Sequence, residues 1–411
     1  MTDVGADLAL EAVVRAESGR LVGLLHRSLG DLDVAEEAVA DAVAEALGAW
    51  RRDGIPDRPA AWLHTAARRN ALDRLRRDAR LRARLPSLGD WAAGARAVQA
   101  EPVDGVVPGD DERLALLFGC CHPALAPASR LVLTLRAVLG LTTAEIARAT
   151  FEPEATVAQR ISRAKRKIGA AAIPLRVPAV AELPERLDVV LTVVATAYNE
   201  AYLATGGPDP TRRDLADDAT WLAGVIATAL PSEPEALGLF VLLQLHQARA
   251  AARFDADGRL VLLADQDRSL WRHDEVDVAV ALLERAAAMR RPGRYQLQAA
   301  ITACHCEAKT WDETDWLQIL TLYDLLLRYD GSPVVRLNRA VATARVEGPD
   351  VALAEVDAVA QPLRRFHLLH ATRAQLLREL GRPDEARAAD RLALAATGNV
   401  AERALLTERL A

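Results

Sequence analysis

Nearly every sustained apolar pattern in this chain has a helical period. In DLDVAEEAVADAVAEALGAW, Leu32, Ala35, Val39, Val43, Leu47 and Trp50 fall on one face, the three-and-four spacing of an amphipathic helix. Val157, Ile161, Ala164 and Ile168 repeat that spacing. Composition agrees: 51% of residues are hydrophobic but only 4% aromatic, so the interior is built from Ala, Leu and Val. The chain is therefore predicted to be all-α, and at 411 residues it is too long for one core and calls for two or three domains.

The pattern breaks once, over PSLGDWAAGARAVQAEPVDGVVPGDDE, which is rich in Gly, Pro and Asp and lacks an apolar face. This gives a helical block over 7–85, a linker over 86–112 and a second block over 113–172. The Pro-rich IPLRVPAVAELP then leads into a long helical block over 185–411. Near its end, VVRLNRAVATARVEGPDVALAEVDAVA and HLLHATRAQLLRELGRPDEARAADRLALAA superimpose when Gly348 is set on Gly381. Each reads as helix, turn, helix, the unit of a tetratricopeptide-like array.

Net charge is −6, and lysine occurs only at Lys165, Lys167 and Lys309. An acidic chain does not coat nucleic acid along its length, so any such contact is local. Four cysteines make no disulfide framework, and a reducing cytoplasm is expected. No apolar run reaches the ~18 residues of a membrane span, and the N-terminal residues do not read as a secretion signal.

Two helices gather the cations. In LTTAEIARATFEPEATVAQRISRAKRKI, Thr142 and Glu145 have capping-box spacing, and Pro153 is placed in the first turn of a second helix. That helix turns Val157, Ile161, Ala164 and Ile168 inward and Thr156, Gln159, Arg160, Arg163, Lys165 and Arg166 outward. This is a helix-turn-helix whose second helix suits a major groove. In the first block, PAAWLHTAARRNALDRLRRDARLRARL turns Leu63, Ala67, Ala71 and Leu75 inward. Arg68, Arg69, Asn70, Arg76 and Arg77 lie outward, with Trp62 and His64 beside them. Flat rings beside cations suit unpaired bases, although Trp62 serves equally as a core anchor. The helix before it carries Asp33, Glu37, Asp41 and Glu45 at intervals of four, a stripe able to dock on a basic partner.

Taken in order, DVAEEAVADAV, AWLHTAARRNALDRLRR, a linker and EIARAT…ATVAQRI resemble an RNA polymerase sigma factor of the extracytoplasmic-function type. GCCHPALAPASRLVLTLRAVLGLTTAEIARA, RLDVVLTVVATAYNEAY and LVLLADQDRSLW extend the resemblance to the subgroup with a long tetratricopeptide-like C-terminal extension. The resemblance implies a region 2 bundle over 7–85, a region 4 helix-turn-helix over 113–172, and a helical C-terminal domain. It implies that Asp33, Glu37, Asp41 and Glu45 dock on the β′ clamp helices of core polymerase, with the β flap as a further contact. The turn from Gly54 to Pro59 and the helix carrying Trp62, His64, Arg68, Arg69, Asn70, Arg76 and Arg77 would hold the melted minus-ten strand. Thr156, Gln159, Arg160, Arg163, Lys165 and Arg166 would read the minus-thirty-five duplex. The extension would regulate, through contact with the sigma domains, contact with polymerase, or binding of a signal.

No catalytic constellation, cofactor loop or metal set emerges. Cys120, Cys121 and His122, like Cys304, His305 and Cys306, lack zinc spacing and read as buried helix residues. Asp255, Asp257 and Gly258 form only part of a calcium loop. The sequence leaves two alternatives, a helix-turn-helix regulator with a tetratricopeptide sensor that acts without polymerase, and a pure interaction scaffold.

Overall fold

The computed structural model describes residues 3–84, 112–150, 152–179, 181–202 and 213–410. The expected linker falls outside these residues except for Glu112, which opens a helix instead of ending the linker. Among the described residues the only β pairing is an isolated bridge between Phe254 and Leu260, so the all-α reading holds.

The chain divides into two compact units, residues 1–196 and 197–411. In the first, α1 (Asp3–Leu29), α2 (Leu32–Asp53) and α3 (Pro59–Arg84) form a bundle. Asp31 caps α2 by accepting from the N–H groups of Asp33 and Val34 at 2.9 and 3.2 Å, satisfying donors a helix start leaves open. Leu32, Ala35, Val39 and Trp50 are buried as expected, but Leu47 is 39% exposed and the interior is filled by Ala38, Ala42 and Ala46. The α2 face toward its neighbours is thus lined by alanines, one position round from the Leu47 side.

Then come α4 (Glu112–Cys120), α5 (Pro127–Ala137), α6 (Thr143–Thr150) and α7 (Glu154–Ala170). The capping box forms: Glu145 Oε2 accepts from Thr142 N at 2.7 Å, and Thr142 Oγ1 accepts from Glu145 N at 3.2 Å. Pro153 lies just outside α7, at its N-cap. Val157, Ile161, Ala164 and Ile168 are all buried.

The division between units falls inside α8 (Leu183–Tyr202), later than the expected start of the third block at 185. The start of α8 belongs to the first unit, where Arg186 Nη2 donates to the Phe118 carbonyl at 2.6 Å.

The second unit continues with α9 (Arg213–Ala229), α10 (Pro234–Ala248), α11 (His273–Ala288), α12 (Arg294–Glu307) and α13 (Trp316–Leu326). Three single 3-10 turns, Ala250–Ala252, Leu263–Asp265 and Arg268–Leu270, lie between α10 and α11. Next are α14 (Pro333–Val346), α15 (Pro349–Ala358), α16 (His367–Glu379), α17 (Pro383–Ala396) and α18 (Val400–Leu410). The helix pairs α14/α15 and α16/α17 turn at Gly348 and Gly381, both at positive φ (+111° and +70°), and bury one shared core that includes Leu337, Val356, Leu377 and Ala389. Each of the aligned glycines lies in the turn between the two helices of its pair.

Candidate nucleic-acid and polymerase interface

Two surfaces meet along α2 and α3. Glu37 and Asp41, one turn apart on α2, share Arg74 of α3. The Asp41 contact measures 2.8 Å, and Arg74 also pairs with Glu37. Glu45 pairs with Arg69. The acidic stripe and the arginine helix are thus neighbours that partly neutralise each other. Arg74 escaped the sequence reading because it lies three residues beyond buried Ala71, on the flank facing α2. An acidic row at intervals of four on the preceding helix was the signal that could have found it.

Along α3, His64, Thr65, Arg68, Arg69, Leu72, Asp73 and Arg76 line an open groove of about 270 Å³. Burial, then Arg68 and Arg20, hold the His64 imidazole below the usual histidine range, so it is neutral near pH 7. Arg76 is held lightly by Asp73 at 3.3 Å, and Arg77 Nε reaches the Asp73 carbonyl at 3.4 Å. Arg68, Arg69, Arg76 and Arg77 are exposed. Asn70, expected to lie outward, is half-buried, with its Nδ2 lacking a protein partner. Trp62 is half-buried and meets buried Trp50 edge-on, centroids 6.0 Å apart. It is at least partly the core anchor.

On α7, Gln159, Arg163 and Arg166 are exposed and Thr156 is half-buried. Arg160 pairs with Glu152 of the preceding turn at 2.5 Å. Lys165 corrects the sequence reading. Its side chain is only 13% exposed, and its ammonium lies 2.6 Å from Asp33 and 3.1 Å from Glu36 of α2. Lys165 follows buried Ala164 and lies one turn beyond buried Ile161, so it flanks the inward stripe. Burial alone would pull the ammonium down, but Glu36 and Asp33 outweigh it and hold Lys165 above the ordinary lysine value. Glu36, 10% exposed, also meets Arg136 of α5 at 3.5 Å. Glu36 lies one position before Glu37 and so falls outside the stripe of fours.

This closure of the first block on the second has a backbone cause. A Cβ on Gly19 would meet the Val138 carbonyl oxygen at 2.6 Å, and one on Gly23 would meet that of Glu112 at 2.7 Å. Glycines one turn apart on α1 let the second block approach closely. Arg27, one turn further, pairs with Glu112 at 2.6 Å. The motif GRLVG was the legible sign of such an approach.

Elsewhere the sequence expectations resolve locally. The four cysteines are buried free thiols, and among the described residues no His, Cys, Asp and Glu group is placed to hold a metal. Asp255 Oδ1 accepts from the N–H groups of Asp257 and Arg259 at 2.9 and 2.8 Å, closing a tight turn. Asp267 accepts from Ser269 N at 2.9 Å and starts a 3-10 turn. No helix among the described residues is long and apolar enough to cross a membrane.

Comparison with known proteins coincides with these elements. Residues 13–81 match the model of Sigma-70 region 2, residues 115–168 that of Sigma-70, region 4, and residues 186–287 that of a family of unknown function, DUF6596. An uncharacterized protein of Rhizobium meliloti (strain 1021) is 42% identical across 100% of this chain and 96% of its own length. A probable ECF RNA polymerase sigma factor, SigI, of Mycobacterium tuberculosis is 34% identical over 160 residues, 39% of this chain and 54% of that protein. No solved structure matches. With both sigma-70 regions in order and a DUF6596 extension behind them, the chain belongs to the extracytoplasmic-function sigma factors and has the function of a sigma factor.

Proposed function

We propose that this sigma factor docks on the β′ clamp helices of core polymerase through the acidic α2 ridge. In this reading α3 holds the unpaired minus-ten strand, α7 reads the minus-thirty-five duplex, and the C-terminal extension regulates both. The observation that carries it is the division of α7: one face is buried, while Gln159, Arg163 and Arg166 stand exposed on the other. Exposed Arg and Gln side chains on such a helix can pair with base edges and phosphate. On α3, Arg68, Arg76 and the neutral His64 around an open groove suit stacked, unpaired bases.

Asp33 and Lys165 occupy each other, so polymerase and promoter can claim them only after the two blocks separate. The exposed Arg69–Glu45 pair exchanges partners at small cost, whereas the largely buried Lys165 gives up Asp33 and Glu36 only as the two blocks part.

The test uses the full chain. It should retain core polymerase subunits on pull-down from its own host and give core enzyme start-site selectivity in run-off transcription. Asp41→Lys should weaken core binding, whereas Arg163→Ala should leave core binding intact and weaken promoter DNA binding. A chain that binds duplex DNA but neither retains polymerase nor selects a start site would overturn the proposal and favour a polymerase-independent regulator.

A further inference from the structure

In the second unit, the C-terminal end of α10, the turn Arg268–Leu270 and the end of α12 meet around one indole. Arg272 fixes the junction: its N–H donates to the Ala248 carbonyl at 3.0 Å and its Nη2 to the Gln247 carbonyl at 2.8 Å. The indole is Trp271, 3% exposed. The Arg268 guanidinium carbon lies 4.6 Å from its ring centroid, and that of Arg249 lies 5.8 Å away. Arg249 is itself only 6% exposed.

Three donors around this indole have no acceptor, and the Nδ1 of the neighbouring His305 is buried without a partner as well. Arg268 Nη1 donates to the carbonyls of His305 and Ala308 at 2.6 and 2.7 Å, but its Nη2 is buried without an acceptor. Arg249 Nη2 sits 2.9 Å from His246 Nδ1, while its Nε has no partner. The Trp271 Nε1 is buried without one as well. Among the described residues, neither Arg249 nor Arg268 has a carboxylate at ion-pair distance. Glu313 and Cys306 reach Arg268 only through their field, against burial and Arg249.

A guanidinium does not shed its proton, and a buried charge or unmet donor is unfavourable unless something accepts from it. Arg249 Nε, Arg268 Nη2 and Trp271 Nε1 are donors only, so an acceptor bearing negative charge complements them. His305 and His246 do not add to the positive charge. Burial, then Arg249 and Arg268, push His305 down to about 3. Burial, then Arg249, Arg253 and His305, hold His246 well below its usual value. His305 also stacks parallel to Trp311 at 6.1 Å, with Trp316 edge-on at 5.3 Å, so a flat apolar wall adjoins the cations.

We propose that this corner of the C-terminal unit is a binding site for a small molecule bearing an oxyanion, carboxylate or phosphate, which accepts from Arg249 Nε, Arg268 Nη2 and Trp271 Nε1. The proposal stands independently of the promoter reading, because none of these residues belongs to the first unit.

The experiment titrates the full-length protein with inorganic phosphate and, separately, with acetate, against chloride at matched ionic strength. Melting temperature is the readout. A saturable rise with one oxyanion and none with chloride is expected, and whichever saturates identifies the group. Arg249→Gln should weaken the apparent affinity at least tenfold. Trp271→Phe keeps the ring and removes only the indole donor, and should weaken it severalfold. Should Arg249→Gln not fold, Arg268→Gln carries the same expectation. Flat titrations, a response equal to that of chloride, or variant curves superimposed on the wild type would each overturn the site. A merely structural role for these arginines would change the starting melting temperature but not its dependence on anion.

Discussion

In the first unit, the arginines of α3 lie at the surface and meet the carboxylates of α2. In the second, Arg249 and Arg268 are packed around Trp271 with N–H groups left over. Exposed pairs are backed by water, so each partner can exchange a carboxylate for a phosphate or another protein at small cost. Buried cations have no such reserve, and their environment must be completed by protein or by ligand. Surface charge thus fits reversible docking on DNA and polymerase, and buried charge fits a defined small site.

The strongest way to break this contrast is at Arg378, which pairs at 2.5 Å with Asp390, a residue 0% exposed. Arg378→Met strands a buried carboxylate and should cost about 3–5 kcal/mol, read as an earlier urea transition for the C-terminal unit. A loss below about 1 kcal/mol would place this pair with the surface ones.

Acid comes next. His305 and His246 have folded values below the usual 6.5, so the unfolded chain binds more protons once pH falls below that value. Stability should therefore be intact above about pH 7 and fall progressively from about pH 6.5 toward His305's value of about 3. The slope should reach about 1.4 kcal/mol per pH unit for each histidine. Denaturant melts at pH 7.5 and 5.5 measure it. His305→Gln should flatten the slope; an unchanged slope would show that other groups carry it.

Arg163→Ala sharpens the surface side. If Arg163 reads a base edge, promoter affinity should drop by about 1–3 kcal/mol and specificity relax at one position. If it only holds phosphate, loss should be uniform across sequences with a shallower salt dependence. Binding isotherms on point-substituted duplexes at two salt concentrations separate these outcomes.

The smallest effect is expected at Arg69, which is exposed and paired with Glu45. Arg69→Ala should change unfolding free energy by less than about 1 kcal/mol while weakening single-strand binding in a fluorescence anisotropy titration. A large stability loss with unchanged binding would make Arg69 a structural residue.

What could be read from the sequence was whatever depends on neighbours three or four residues away. The inward stripe Val157, Ile161, Ala164 and Ile168 and the Thr142–Glu145 capping box belong to that class, because helix geometry alone fixes them; the turns at Gly348 and Gly381 were legible from glycine's freedom at positive φ. Tertiary structure decided the partners of residues on the flank of a stripe. Lys165 turned to Asp33 and Glu36, 132 and 129 residues away, Arg74 bridged Glu37 and Asp41, and Leu47 was left exposed where alanines closed the helix contact. Arg268 and Trp271 are neighbours in one turn, but only the folding of α10 and α12 against that turn brings Arg249 and the His305 and Ala308 carbonyls to them. Local periodicity names the face a residue occupies, but what that face touches depends on chain segments that no local spacing encodes.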